Sequence, residues 1–355
     1  MISFETVHKR CSILNPLKGF KEDVVTFEYR KDPLTGRNTT VVKGMLEYVS
    51  KFLSTDEKLL GSLAEKTRVG CPFCPESVMA KTPMFTEDFS KEGRIRVGNA
   101  VVVPNLLGHA ERSAVVVMAK EHSLRLDEFE PSAILDGLKG GLAYVRRLSE
   151  TDPSVSFPVF AFNYLPPAGS SIFHPHMQVL ARDRPFYLAR LFLEKSEEYR
   201  EVNGSNYWHD LVEVEKPGER HLFEKDGVEW LVPFAPLRGL NEVQAVVVGR
   251  SNFLELGDGE WLGIAEGISS ILRFYHEQGY VSFNAVLLSG PVGAHLDYFC
   301  VNLRMVSRPG IQPTCFTDAW ALPYLLWDGE ALEEPEVLAG KIRAFLGRRP
   351  GGKVR

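Results

Sequence analysis

Two cysteines, Cys71 and Cys74, stand in the segment Gly70-Cys71-Pro-Phe-Cys74-Pro75, whose glycine and prolines favour a tight turn. Such a turn aims two thiolates at one point and suits tetrahedral zinc. The same spacing serves thioredoxin-like redox chemistry, and a pair of buried bystander thiols would look alike at this stage. Zinc needs two further ligands. His122 and His174 fall at the ends of apolar, strand-like runs and are the candidates.

The run His174-Pro-His176-Met-Gln178 is denser still in reactive side chains. Pro175 excludes helix and Val179-Leu180-Ala181 continues extended, so a strand is expected. Because proline cannot donate to a ladder, an edge or bulged strand is expected. At a period of two, His174, His176 and Gln178 share one side. A buried polar trio is costly unless paired or liganded, and Ile172, Phe173, Met177, Val179 and Leu180 around it are apolar. Just upstream, Pro166-Pro-Ala-Gly169-Ser170-Ser171 is a small-residue loop whose N–H groups and hydroxyls suit phosphate oxygens.

Phosphoryl chemistry gives this set a logic. A neutral imidazole can attack the α-phosphorus of a nucleoside diphosphate ester and carry the nucleotidyl group covalently. A departing sugar 1-phosphate has a second pKa of about 6 and leaves without needing a proton. Gln178 can hydrogen-bond a phosphoryl oxygen but can act as neither acid nor base. That favours transfer to another phosphate over hydrolysis.

An internal repeat supplies the elements that must position these residues. Val101-Val-Val-Pro-Asn105 and Ser113-Ala-Val-Val-Val-Met lead to Glu121-His122; later Leu231-Val-Pro-Phe234 and Gln244-Ala-Val-Val-Val-Gly lead to Ser251-Asn252. Each copy continues into a helical period, Ile134 to Leu148 after Pro131 and Trp261 to Tyr275, then into a strand bearing Phe162-Asn163 or Phe283-Asn284. Twelve residues beyond each of these phenylalanines stands a histidine, His174 or His295. The pattern reads as α+β: two tandem repeats, each an antiparallel sheet with one long packed helix. The expected organisation is 1–183 for the first repeat, 184–340 for a degenerate second repeat and 341–355 for a basic tail.

Composition narrows the class. Across 355 residues, 41 basic side chains face 46 acidic ones, a net charge of −5, which argues against bulk nucleic-acid or anionic-membrane binding. No apolar run reaches the roughly 20 residues of a membrane helix, and the start has no signal-peptide core, so a cytoplasmic protein is expected. Five scattered cysteines do not make a disulfide scaffold.

Cys71-Pro-Phe-Cys74, His122 and His174-Pro-His-Met-Gln178, in this order, resemble the galactose-1-phosphate uridylyltransferase family, the two-repeat branch of the histidine-triad superfamily. Arg30-Lys-Asp-Pro-Leu-Thr-Gly36 is similar to that family's N-terminal Pro-Leu-Thr-Gly segment, and the resemblance extends to about Arg308. It implies that His176 is the nucleophile carrying a nucleotidyl group and that Gln178 holds phosphoryl oxygens. Asn163, Gly169 and Ser171 would line the phosphate site, with Phe73 and Asn105 beside base and ribose. Cys71, Cys74, His122 and His174 would bind a structural zinc ion. The family also implies a homodimer with active sites near the subunit interface, a role in galactose and other carbohydrate metabolism, and a UDP-glucose/hexose 1-phosphate exchange.

Departures bear on the substrate. Leu106 replaces the acidic residue that follows the base-contacting Asn, and Val41-Val-Lys-Gly-Met-Leu46 stands where a basic Ser-Pro-His-Arg-like segment is expected. The Lys-Phe and Tyr-Glu pairs of the hexose-recognition run are absent. His295 and Asp297 occupy the place of a second metal's His-x-His. Relatives with the same nucleophile include ADP-glucose phosphorylase, diadenosine tetraphosphate phosphorylase and adenylylsulfate:phosphate adenylyltransferase. An adenylyl-transferring phosphorylase that uses inorganic phosphate is therefore the alternative. A zinc-stabilised nucleotide-binding protein without turnover is the third reading.

Overall fold

A computed structural model describes residues 2–314 and 316–348. The chain begins with a long hairpin, β1 (Glu5–Asn15) and β2 (Lys21–Lys31), followed by β3 (Asn38–Val42). Helices α1 (Met45–Leu53), α2 (Glu57–Arg68) and α3 (Pro75–Lys81) lead into the first repeat. That repeat comprises β4 (Ile95–Val97), β5 (Ala100–Pro104), β6 (Arg112–Val117), α4 (Pro131–Thr151), β7 (Phe157–Tyr164) and β8 (His176–Arg182). Two helices, α5 (Tyr187–Asn203) and α6 (Tyr207–Glu215), connect it to the second. The second repeat comprises β9 (His221–Lys225), β10 (Val228–Leu231), β11 (Val243–Val247), α7 (Asp258–Glu277), β12 (Ser282–Leu288) and β13 (Asn302–Arg308). A short strand, β14 (Gly329–Ala331), and helix α8 (Pro335–Leu346) complete the described chain.

The repeats do not form separate sheets. They share one ten-stranded sheet in the order β4-β5-β6-β8-β7-β12-β13-β11-β10-β9. Reading outward from the central pair, β7 matches β12, β8 matches β13 and β6 matches β11, so the halves are related by a pseudo-twofold between β7 and β12. Asn163 and Asn284, the two repeat-equivalent asparagines, lie directly opposite each other across that seam.

Alternation along the strands separates two faces. Phe160, Phe162, Met177 and Val179 in the first half, with Phe283, Ala285, Leu303 and Met305 in the second, enter one continuous apolar core under α4 and α7. Pro131 opens α4 at a position where its missing N–H costs nothing. In α7 a glycine is required by close approach: a Cβ on Gly267 would lie 2.0 Å from the Trp230 ring. The opposite face is covered only in part. The Cys71 turn packs on Val103, Val115 and Val117 at one side, and α5 and α6 bury Val159, Val246 and Leu288 at the other. Between them a groove runs over β7, β12 and β13, beside β8.

Three expectations need correction. Strand β8 is neither edge nor bulged but interior, paired with both β6 and β7. Pro175 precedes its first residue and contributes only its carbonyl, which accepts from the Met118 N–H (3.3 Å), so no ladder donor is missing. The span 1–183 is not all repeat, because β1, β2 and β3 join β14 in a separate four-stranded sheet. The tail expected at 341–355 begins inside α8, whose buried Leu338, Ala339 and Ile342 anchor it to the core; residues 349–355 lie outside the described residues.

Candidate active site and metal centre

Cys71, Cys74, His122 and His174 come from three separate segments and converge. All four are buried, and one ligand atom from each lies within 4.8 Å of the others. Cys74 sits at the N-terminus of α3 with Pro75 in its first turn. His122 lies five residues beyond β6, in the loop to α4, rather than at the strand end itself. Each ring is fixed by its far nitrogen. The Nε2–H of His174 donates to the Ala119 carbonyl (2.8 Å), which leaves Nδ1 as an acceptor facing Cys74 Sγ (3.7 Å) and Cys71 Sγ (4.0 Å). The Thr67 hydroxyl donates to the Leu63 carbonyl (2.7 Å), so at the His122 contact of 3.1 Å the ring donates from Nε2. His122 Nδ1 then faces Cys74 Sγ at 3.5 Å.

Without an ion this is a poor place for charge. Burial, and then the neighbouring Cys71, push the Cys74 thiol up to about 11. Burial chiefly brings His174 down to about 4 and also lowers His122. Two soft sulfurs and two neutral imidazole nitrogens at tetrahedral spacing, each ring braced from behind, fit a divalent ion such as zinc.

His176 is the first residue of β8, two beyond His174, and is half-buried. Its Nδ1–H donates to the backbone carbonyl of His174 (2.7 Å). A carbonyl can only accept, so the proton resides on Nδ1 and Nε2 carries the free lone pair. Burial lowers its pKa against the opposing pull of that hydrogen bond, and the ring is neutral at pH 7. Phe73, from the Cys turn, stands edge-on at 5.2 Å between ring centroids. Gln178 follows on the same face, opposite Val115 on β6 and Ala161 on β7.

The remaining candidates separate. Asn163 lies in the groove on β7, and its side-chain oxygen accepts from Asn284 Nδ2 (2.6 Å). The loop after β7 makes one 3-10 turn, Pro166–Ala168, and Gly169 closes it at φ 82°, donating to the Pro166 carbonyl (2.8 Å). Gly169 and Ser171 are exposed there. Ser170 is turned inward, its hydroxyl donating to the Ile172 carbonyl (2.7 Å). Asn105 is on the same sheet face but past the end of β5, and its side chain accepts from the Leu107 N–H (3.3 Å); it is not beside His176. Sequence reasoning assigned no role to Asn284, whose Nδ2 also donates to the Ala168 carbonyl and so braces the first repeat's loop from the second (2.8 Å). The repeat-equivalent Phe-Asn pairs were the available signal. His295 and Asp297 do not form a second centre: His295 bonds Glu255 (3.0 Å), while Asp297 pairs with Arg200.

No family model matches the chain. It is 33% identical over 338 residues to an uncharacterized protein of Archaeoglobus fulgidus, covering 94% of this chain and 97% of that one. Among solved structures it is similar to an ADP-glucose phosphorylase from Arabidopsis thaliana with bound ADP-glucose, at TM-score 0.68 and 18% identity over 89% of this chain and 98% of that chain. A galT-like protein from the same plant gives TM-score 0.64 at 19% identity, again over 89% and 98%. A uridylyltransferase gives 0.63 at 21% identity over 90% and 98%. The chain belongs to the family of the archaeal protein and has the galT-like fold. Within that galT-like sheet, the Cys2His2 cluster and His176 lie on one side of the pseudo-twofold. Among the described residues, no other group of three or more His, Cys, Asp or Glu side chains is placed to hold a metal, and no helix is long and apolar enough to cross a membrane.

Proposed function

We propose that the protein is a nucleotidyltransferase that carries a nucleoside monophosphate on His176. The observation that carries this reading is the hydrogen bond from His176 Nδ1–H to the His174 carbonyl, which leaves Nε2 unprotonated on a half-buried ring. In the first half-reaction Nε2 attacks the α-phosphorus, the P–N bond forms, and the P–O bond to the departing phosphate breaks with its electron pair. In the second, a phosphate oxygen of the acceptor attacks the same phosphorus and the P–N electron pair returns to Nε2. Gln178 contacts phosphoryl oxygens, Asn163, Gly169 and Ser171 hold the phosphate loop side, and Phe73 borders the nucleoside; Ser170 shapes the loop. Asn105 would reach only a base extending along the groove.

The four-residue cluster holds zinc in this reading. When bound, the ion supplies structural cross-linking between the Cys71 turn and the strand that begins at His176. In the favoured form the substrates are UDP-glucose and a hexose 1-phosphate, as in galactose-1-phosphate uridylyltransferase. The second form is an adenylyl-transferring phosphorylase with inorganic phosphate as acceptor. Leu106, exposed where an acid would grip ribose, and the absent hexose-recognition run favour it. A cytoplasmic homodimer completes the proposal; the exposed Leu14, Leu17 and Phe20 of the β1–β2 hairpin support an interface there.

Denaturing mass spectrometry after incubation with UDP-glucose or ADP-glucose tests it. A uridylyl or adenylyl mass gain, lost in His176→Gly, is expected, and release by hexose 1-phosphate or by phosphate names the acceptor. No adduct with either donor, in protein loaded with zinc, overturns the proposal.

A further inference from the structure

We propose that the pocket on the second-repeat side of His176 receives the acceptor, and that among hexose 1-phosphates it favours one that carries a further phosphate besides the one that meets His176. Its role as the acceptor's place rests on the nucleotidyl-transfer reading; its preference for a second phosphate rests on the pocket.

The pocket has a volume of about 570 Å³ and adjoins the nucleophile, since Ala161 and Asn163 line it and Ala161 lies opposite Gln178. Its floor continues across the seam through Asn284, Val286 and Val306. That volume and the apolar floor suit a sugar-sized body rather than a bare phosphate ion. Four guanidinium groups line it, Arg37, Arg238, Arg304 and Arg308, against the single carboxylate of Glu242.

That carboxylate is already spent. Arg304 pairs with one of its oxygens, and the other accepts from the backbone N–H groups of Leu237 (2.6 Å) and Arg238 (2.7 Å). Arg308 lies 2.7 Å from Asp318. Among the described residues Arg37 and Arg238 hydrogen-bond only to backbone carbonyls, those of Trp327 and Pro323, and neither has a carboxylate in direct contact, although Glu242 and Asp328 act on Arg37 through space. Burial, and then the proximity of Arg238, depress the Arg37 pKa. Arg304 and Arg308, both largely buried, each already have a carboxylate partner, so Arg37 and Arg238 are the guanidinium groups left for a ligand. Neighbouring guanidinium groups repel one another, and phosphate oxygens relieve that cost with charge-assisted bonds.

A hexose 1-phosphate would place its one phosphate at His176 and offer these arginines only hydroxyls. A sugar with a second phosphate satisfies both ends. The distant origins of the arginines, a turn after β2, the loop before β11 and strand β13 itself, explain why no sequence motif announced them.

The test is calorimetric titration of the full-length, zinc-loaded protein with glucose 1-phosphate and glucose 1,6-bisphosphate. The bisphosphate is expected to bind at least about tenfold more tightly. That advantage should fall below about threefold in Arg238→Gln and in Arg37→Gln, with melting temperature and zinc content unchanged. Equal affinities, no binding of either sugar, or an advantage that survives both substitutions would overturn it. Selective bisphosphate binding without any His176 adduct would remove the transferase reading and leave the anion pocket; an adduct with indifferent sugar binding would do the reverse.

Discussion

The two halves of the ten-stranded sheet share strand order, a long covering helix and a Phe-Asn pair, yet one half holds the reactive imidazole and the other holds arginines. They differ on one face only. Toward α4 and α7 both present close-packed apolar side chains, Phe160, Phe162 and Met177 matched by Phe283, Leu303 and Met305. On the groove face the first half shows His176 and Gln178 on β8, while the equivalent β13 shows Arg304. Packing at interior density constrains the core face of a duplicated unit and leaves the solvent face free to diverge. Each half also has its own clamp. In the first it is the Cys2His2 cluster. In the second, Glu336 on α8 joins Arg30 of β2 (2.9 Å) to Arg220 (2.7 Å), and Arg220 in turn holds the buried Glu215 (3.0 Å).

The sharpest break between the halves is chemical. Replacing the proposed nucleophile, His176→Gly, is expected to lower single-turnover nucleotidyl transfer by at least about a thousandfold. His295→Ala, at the place in the second copy that matches His174, should stay within about twofold, because that ring is largely exposed and, among the described residues, bonded only to Glu255. Comparable losses from both would show that the second copy shares the chemistry.

Next in size is the clamp. With zinc bound as proposed, Cys71→Ser is expected to lose the metal, read by elemental analysis, and to lower Tm by roughly 5–15 °C. The buried Cys300 of the second half serves as control: Cys300→Ser should leave metal content unchanged. An unchanged Tm in metal-depleted protein would contradict the structural role.

Helix packing gives a smaller contrast. A Cβ on Gly267 of α7 would collide with Trp230, whereas one on Gly140 of α4 would meet Val102 at 3.2 Å. In denaturant titrations Gly267→Ala should cost about 1–3 kcal/mol. Gly140→Ala should fall within about 1 kcal/mol of wild type, since gained helix propensity offsets the tight contact.

The second clamp predicts the mildest effect, in pH. Burial alone would raise the Glu336 pKa, but the Arg30 hydrogen bonds and charge, aided by Arg220, outweigh it and bring it to about 2. A folded pKa below the unfolded value of 4.5 stabilises the fold above that value, and the contribution is lost as pH falls toward 2. The difference in Tm between wild type and Glu336→Gln should therefore shrink from pH 5 to pH 2. A constant difference would mean that the carboxylate's charge contributes nothing.

The sequence by itself determined what is local or periodic. Helical spacing marked α4 and α7, alternation marked the strands, and the repeat set their order. The chemistry of Cys71, Cys74, His122 and His174 singled out side chains that do meet in space. Tertiary structure decided what depends on which strand lies beside which. It made β8 an interior strand, since a proline just outside the ladder leaves every pair intact. It fused the two repeats at β7 and β12 and so set Asn284 against Asn163, 121 residues away in the chain. It also assembled Arg37, Arg238 and Arg304 around one pocket. Contacts of that kind are fixed by register and chain closure over long separations, and no short stretch of residues encodes them.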